Sequence, residues 1–151
     1  MFEVALVEPA IPPNTGSVAR LCAATGIPLH LVEPLGFEIS DRRLKRAGLD
    51  YWKFAQVSTH GSVEDLIESR PRGTLCFFSK KASASYLEAC FKGNELLVFG
   101  SETTGLAEDV LARYSDRAFR IPILHPGVRS LNLANAVAIV VYEALRQTKR
   151  I

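Results

Sequence analysis

Apolar residues come in short runs punctuated by Pro, Gly and charged residues, and the runs follow two different spacings. Phe2–Val7, Leu29–Val32, Thr74–Phe78 and Glu95–Phe99 are dense in Val, Leu and Phe. Such near-continuous runs are predicted as strands buried on both faces. Between them lie segments that read as helices. One covers Thr15–Thr25, follows the Pro-rich turn Ile11-Pro-Pro-Asn14, and is stopped by Gly26 and Pro28. Another opens at Ser62, with Asp65 three residues on as in a capping box, and runs to about Glu68. Ala84–Cys90 and Ala107–Ala112 are predicted as short helices, Phe54–Val57 and Ala118–Ile121 as short strands, and Asp41–Ala47 as a polar, basic helix or turn. The chain closes on Ile121–Gln147: a strand end, a Pro/Gly loop, and a long helix for which Ser130 is the predicted N-cap. Asn132, Asn135 and Tyr142 share one face of that helix, and its other faces are almost all Leu, Ala, Val and Ile. A helix so apolar is expected to be buried. Its Asn side chains then need partners, either a neighbouring loop to cap or a site to serve.

Strands alternating with helices define βα units, so the expected fold is α/β with a mainly parallel sheet flanked by helices. The 151 residues suit a single domain, 1–151, and show no internal repeat or linker. Hydrophobic (48%) and charged (23%) shares are those of a globular protein, and a net charge of +2 permits a nucleic-acid partner without requiring one. Cys22, Cys76 and Cys90 lack CxxC spacing, which argues against a disulfide framework or a zinc site. The histidines His30, His60 and His125 also lack ligand spacing, so no metal is expected. No run is long enough to span a membrane and no signal peptide is visible, so the expected location is cytoplasmic.

In a parallel sheet, ligands bind beyond the carboxyl ends of the strands. That rule selects the loops Glu8–Thr15, Gly100–Gly105 and Ile121–Ser130. Gly100-Ser-Glu-Thr-Thr-Gly105 is neither a dinucleotide fingerprint nor a P-loop, which speaks against nucleotide triphosphates. Glu102 reads either as an acceptor near a cationic ligand group or as an exposed turn acid. Arg20 offers a planar fork for phosphate or carboxylate, or is a solvated helix residue. The run Asp41–Phe54 holds Arg42, Arg43, Lys45, Arg46 and Lys53 beside Tyr51, Trp52 and Phe54. Cations meet phosphates and aromatics stack on bases, so this is a candidate RNA patch; its alternative is a solvated face beside core aromatics.

Seven stretches taken together carry a family likeness: Glu8–Gly16, Arg20–Gly26, Arg46–Tyr51, Phe99–Leu106, Arg120–Pro122, Arg129–Ala136 and Val140–Ala144. In this order and spacing the chain resembles the SpoU-type (SPOUT) RNA 2′-O-methyltransferases. Within them it is most similar to the small bacterial tRNA (cytidine/uridine) 2′-O-methyltransferases acting at the anticodon wobble position, the TrmL (YibK) group. The resemblance implies a SPOUT fold whose C-terminal part forms a deep trefoil knot, S-adenosylmethionine (S-adenosyl-L-methionine) as cofactor, tRNA as substrate, and a homodimer with sites near the subunit interface. By motif it implies cofactor contacts from Phe78, Gly100, Glu102, Ile121, Ser130, Leu131 and Asn135. It implies catalysis by Arg20, and RNA or active-site contacts from Asn14, Arg129 and Tyr142, joined by the patch residues Arg42, Arg43 and Arg46. Departures from the family pattern fall at Ser101, Thr104, Ala134 and the loop through His125–Val128.

The implied reaction is in-line attack of a ribose 2′-hydroxyl on a sulfonium methyl. It needs alignment of donor and acceptor and removal of a proton from a weak acid. A guanidinium holds its own proton too firmly to be an ordinary base, so Arg20 is expected to orient the ribose or its phosphate, with Glu102 or an RNA phosphate as candidate proton acceptors. Two alternatives stand beside this: methylation at another tRNA or rRNA ribose, and a non-catalytic knotted RNA-binding dimer.

Overall fold

The computed structural model describes residues 1–39, 51–68 and 70–151. The expected helix or turn over Asp41–Ala47, with Arg42, Arg43 and Arg46, lies outside the described residues.

Seven strands form one parallel sheet: β1 (Glu3–Val7), β2 (Leu29–Val32), β3 (Val57–His60), β4 (Leu75–Phe78), β5 (Ala84–Ser85), β6 (Leu96–Phe99) and β7 (Ala118–Arg120). Their order across the sheet is β3-β2-β1-β6-β4-β7-β5. Four longer elements pack on it as helices: α1 (Pro12–Thr25), α2 (Val63–Ile67), α3 (Glu108–Arg113) and α4 (Leu133–Gln147).

The centre of the sheet is apolar on both faces because alternate residues of β1, β2, β4 and β6 enter different cores. Val4, Leu6, Leu29, Leu31, Cys76, Phe78, Leu97 and Phe99 pack beneath α1 and α4. Ala5, Val7, Val32, Leu75, Phe77, Leu96 and Val98 pack with Leu66 and Ile67 of α2 and Val110 of α3. Burial of this kind raises the thiols of Cys22 and Cys76 to about 12 and about 11, so both are inert packing residues. Among the described residues no helix is long and apolar enough to cross a membrane.

Local chemistry sets the helix ends. α1 starts three residues earlier than expected, at Pro12 and Pro13, whose missing N–H groups are two that a helix start could not satisfy anyway. It ends at Gly26, held at φ 68°. Ser62 caps α2 by accepting from the Asp65 N–H at 3.1 Å, as expected.

Three expectations are corrected. Ala84–Cys90 is not helical: Ala84 and Ser85 pair with Phe119 and Arg120 of β7, and only the 3-10 turn Tyr86–Glu88 follows, closed by a reciprocal Ser85–Glu88 capping box. Pairing with the sheet edge outweighs the helical leaning of the segment. Phe54–Val57 is not a strand either; Trp52–Phe54 is a 3-10 turn, and β3 begins at Val57, where it pairs with Leu29. The cap of the last helix is Asn132, whose Oδ1 accepts from the N–H groups of Ala134 and Asn135 at 3.0 and 3.3 Å, rather than Ser130.

Candidate functional site

At the carboxyl ends of β4, β6 and β7, three segments line an open cleft of about 170 Å³. They are Phe78–Lys81, Phe99–Leu106 and residues from Ile121 to Ala136. Phe78 and Phe99 stack at 4.9 Å between ring centroids, fixing the ends of β4 and β6 against each other. Gly100 follows directly. A Cβ there would lie 2.2 Å from the Gly105 carbonyl carbon and 2.3 Å from the Leu106 nitrogen, so only glycine lets the loop fold back on itself. The loop closes through the Gly105 N–H, which donates to the Ser101 carbonyl at 2.9 Å, with Gly105 at φ 71°. Lys80 reaches across the cleft to the Arg129 carbonyl at 3.4 Å, joining the β4 loop to the long loop before α4.

A polar chain ties this cleft to the start of α1. The Glu102 carboxylate accepts from the Ala10 N–H at 2.8 Å, the Ile11 N–H at 3.2 Å and Asn14 Nδ2 at 3.0 Å. A carboxylate at that point also sits at the positive end of the helix dipole. Asn14 Oδ1 in turn accepts from Asn132 Nδ2 at 2.9 Å. A carboxylate can only accept, so this network fixes which way the Asn14 amide faces. Glu102 lines the cleft, yet both of its oxygens are already committed to protein donors. It is a strut between loops rather than a free base.

Of the residues expected at the cofactor, Phe78, Gly100, Glu102, Ile121, Ser130 and Leu131 line this one cleft. Asn135 does not line it: its side chain is exposed on α4 and only its backbone N–H joins the cap. Arg129 is exposed beside the cleft mouth. Tyr142 is 49% exposed and lies on the outer stripe of α4 with Ile139, so this helix is not buried all round. Arg20 is exposed, outside the cleft lining, with its guanidinium 4.5 Å from the centroid of the Tyr51 ring. Asn14 is buried in the polar chain just described.

Sequence reasoning missed Ser79, Lys80, Leu106, Ile123 and Leu133 as cleft residues, and Asn132 as the link to Asn14. Proximity to Phe78 and Gly100 was the available signal for the first three. Among the described residues no three His, Cys, Asp or Glu side chains gather as a metal site.

The cleft combines apolar walls from Phe78, Ile121, Leu131 and Leu133 with the hydroxyls of Ser79 and Ser130 and a glycine-lined backbone. That donor set fits an amphiphilic nucleoside such as S-adenosylmethionine, whose ring wants apolar walls and whose polar edge wants backbone and hydroxyl partners.

Comparison with known proteins agrees with the fold. The SpoU rRNA methylase family matches residues 1–142. A tRNA (cytidine(34)-2′-O)-methyltransferase of Polaromonas sp. is 49% identical over 150 residues, covering 97% of this chain and 91% of the relative. A solved structure concerned with 2-OH methylation of C/U34 on tRNA superimposes with a TM-score of 0.92 at 48% identity, over 100% of this chain and 98% of the other. An AdoMet-bound rRNA methyltransferase from Sinorhizobium meliloti superimposes with a TM-score of 0.82 at 28% identity, over 96% of this chain and 56% of the other. An α/β fold with its cleft at this end of a parallel sheet defines the class, and the chain belongs to the SpoU methylase family.

Proposed function

We propose that this protein is an S-adenosylmethionine-dependent methyltransferase that modifies the ribose 2′-hydroxyl of tRNA at the wobble cytidine or uridine. The carrying observation is that Phe78, Gly100, Ile121, Ser130 and Leu131, far apart in sequence, converge on one cleft in a chain nearly half identical to a cytidine-34 2′-O-methyltransferase. Phe78, Gly100, Ile121, Ser130 and Leu131 hold the cofactor, while Glu102 acts on it only by fixing the loop. The bound cofactor supplies an electrophilic methyl group on a sulfonium. The chain's own work is alignment: it fixes the cleft and presents Arg20 to orient the ribose or its phosphate. With Glu102 engaged, the RNA phosphate is the better candidate for the proton of the attacking hydroxyl.

Asn14 serves the site through the polar chain it forms with Glu102 and Asn132, and Asn135 acts from outside the cleft, at the cap of α4. Arg129 and Tyr142, with Arg42, Arg43 and Arg46 of the basic run, contact RNA or the second subunit. We read the whole chain, 1–151, as one such domain, working as a homodimer in the cytoplasm. The support for the dimer is that Arg20 does not line its own cleft and that α4 leaves Ile139 and Tyr142 outward. The trefoil knot belongs to the same reading; β7 inserts beside β4 rather than beside its predecessor β6, and the segment after it forms a cleft wall before α4 packs on α1. Methyl transfer from labelled S-adenosylmethionine to wobble-unmodified tRNA tests the activity, and light scattering tests the dimer.

A further inference from the structure

Arg20 has a neighbour whose chemistry explains how an exposed arginine is kept ready. Its guanidinium lies over the Tyr51 ring, 4.5 Å from the centroid. Among the described residues the Arg20 guanidinium makes no hydrogen bond or ion pair. A carboxylate partner would consume the N–H edge of the fork. A ring takes only its flat face and leaves all five donors at the edge for a ligand. The turn that carries the ring is fixed: the Phe54 N–H donates to the Tyr51 carbonyl at 2.9 Å, and Trp52 packs against the core beneath α1. The 3-10 turn carrying these residues packs directly on α1. Without such a platform a four-rotor side chain would have to be ordered anew at each turnover, which costs rotamer entropy.

We propose that Tyr51 is the positioning residue for Arg20: its ring aims the guanidinium and leaves the donor edge free for the ribose-phosphate of the substrate. This rests on the methyl-transfer reading above. Tyr51 does not line the cleft and its ring contacts Arg20, so it acts through Arg20.

The test uses the full-length protein as wild type, Tyr51→Phe, Tyr51→Leu and Tyr51→Met. Single-turnover methyl transfer at saturating tRNA is read beside the tRNA KM, S-adenosylhomocysteine affinity by calorimetry, the thermal midpoint, and the NMR shift of the Arg20 Nε–Hε group. Tyr51→Phe keeps the ring and is expected to retain the wild-type rate within about twofold, with an unchanged ring-current shift. Tyr51→Leu and Tyr51→Met are expected to slow transfer roughly three- to thirty-fold, the range of an exposed to partly desolvated cation–π contact. In both, the two affinities hold and the Arg20 signal loses its ring-current shift. The proposal is overturned if the Leu and Met variants transfer at the wild-type rate, if Tyr51→Phe is as slow as they are, or if the loss lies wholly in tRNA KM. Failure of both variants to fold would make Tyr51 a packing residue and overturn it as well. Wild-type protein that transfers no methyl group sinks the functional reading instead; the Arg20 shift still reports whether the ring holds the guanidinium.

Discussion

Asn14 Oδ1 accepts from Asn132 Nδ2 at 2.9 Å across 118 residues of sequence, and the same side chain donates to Glu102 at 3.0 Å. One amide thus joins the start of α1, the Gly100–Gly105 loop and the cap of α4. The node needs one donor and one acceptor in fixed directions, which Asn supplies. Asn14→Asp puts a second carboxylate against Glu102, so it is expected to destabilise more than Asn14→Ala, which is expected to cost about 1–2 kcal/mol. Denaturant unfolding of the two variants checks the order.

Removing the other end is expected to be worse. Glu102→Ala leaves the Ala10 and Ile11 N–H groups and the Asn14 amide without their acceptor. A loss of roughly 2–4 kcal/mol is expected, with weaker cofactor binding because the cleft loop loses its strut. Paired unfolding and calorimetry measure both.

Gly100→Ala is expected to fail at the cofactor. The added methyl meets the backbone of Gly105 and Leu106, which cannot give way as a side-chain tip could. Forcing the loop open is expected to cost about 1–3 kcal/mol in stability. S-adenosylhomocysteine affinity should fall at least about tenfold, since a cleft wall moves. Unchanged affinity would show that this loop does not shape the cofactor site.

Stability is expected to fall on acidification in two stages, through a polar cluster away from the cleft. His30 Nε2 lies 2.6 Å from Glu3 Oε2, which Arg70 also reaches at 2.6 Å, and His30 Nδ1 lies 2.8 Å from Ser58 Oγ and 3.0 Å from His60 Nε2. Burial holds His30 below its ordinary 6.5, with His60 and Arg70 adding to this and Glu3 opposing it. Burial pushes Glu3 up, but the Arg70 and His30 contacts outweigh it and keep the carboxyl below 4.5. In both cases the unfolded chain binds protons more readily than the folded one, so stability present at neutral pH is lost as pH falls. The first loss begins near pH 6.5 and the second below 4.5. Denaturant midpoints measured across pH should show both stages, and His30→Gln should remove the first.

The fold was largely legible because parallel strands are buried on both faces. Leu29–Val32 is bounded in sequence as it is in space, since every position is apolar or half-buried and the run lies between Pro28 and Glu33-Pro34. The edge was not legible. Ala84–Ser85 and Val57–His60 owe their conformation to pairing with β7 and β2, and nothing local distinguishes them from turn or helix. Within the site, the family resemblance pointed to Phe78, Gly100, Ile121 and Ser130, and these four line one cleft. The roles of Glu102 and Asn132 were not legible, because each is defined by a partner about ninety or more residues away. Ser130 and Asn132 are both good caps by composition; Asn132 wins because its amide also reaches Asn14.

The central claim is tested most directly by mapping the methyl group. Purified protein is incubated with S-adenosylmethionine and tRNA from cells lacking wobble methylation, and 2′-O-methyl nucleosides are located by mass spectrometry. The expected result is one new methyl group, on the ribose of the wobble cytidine or uridine. Arg20→Ala should abolish it while leaving cofactor affinity nearly unchanged. A methyl group at any other nucleotide, or none, would contradict the assignment.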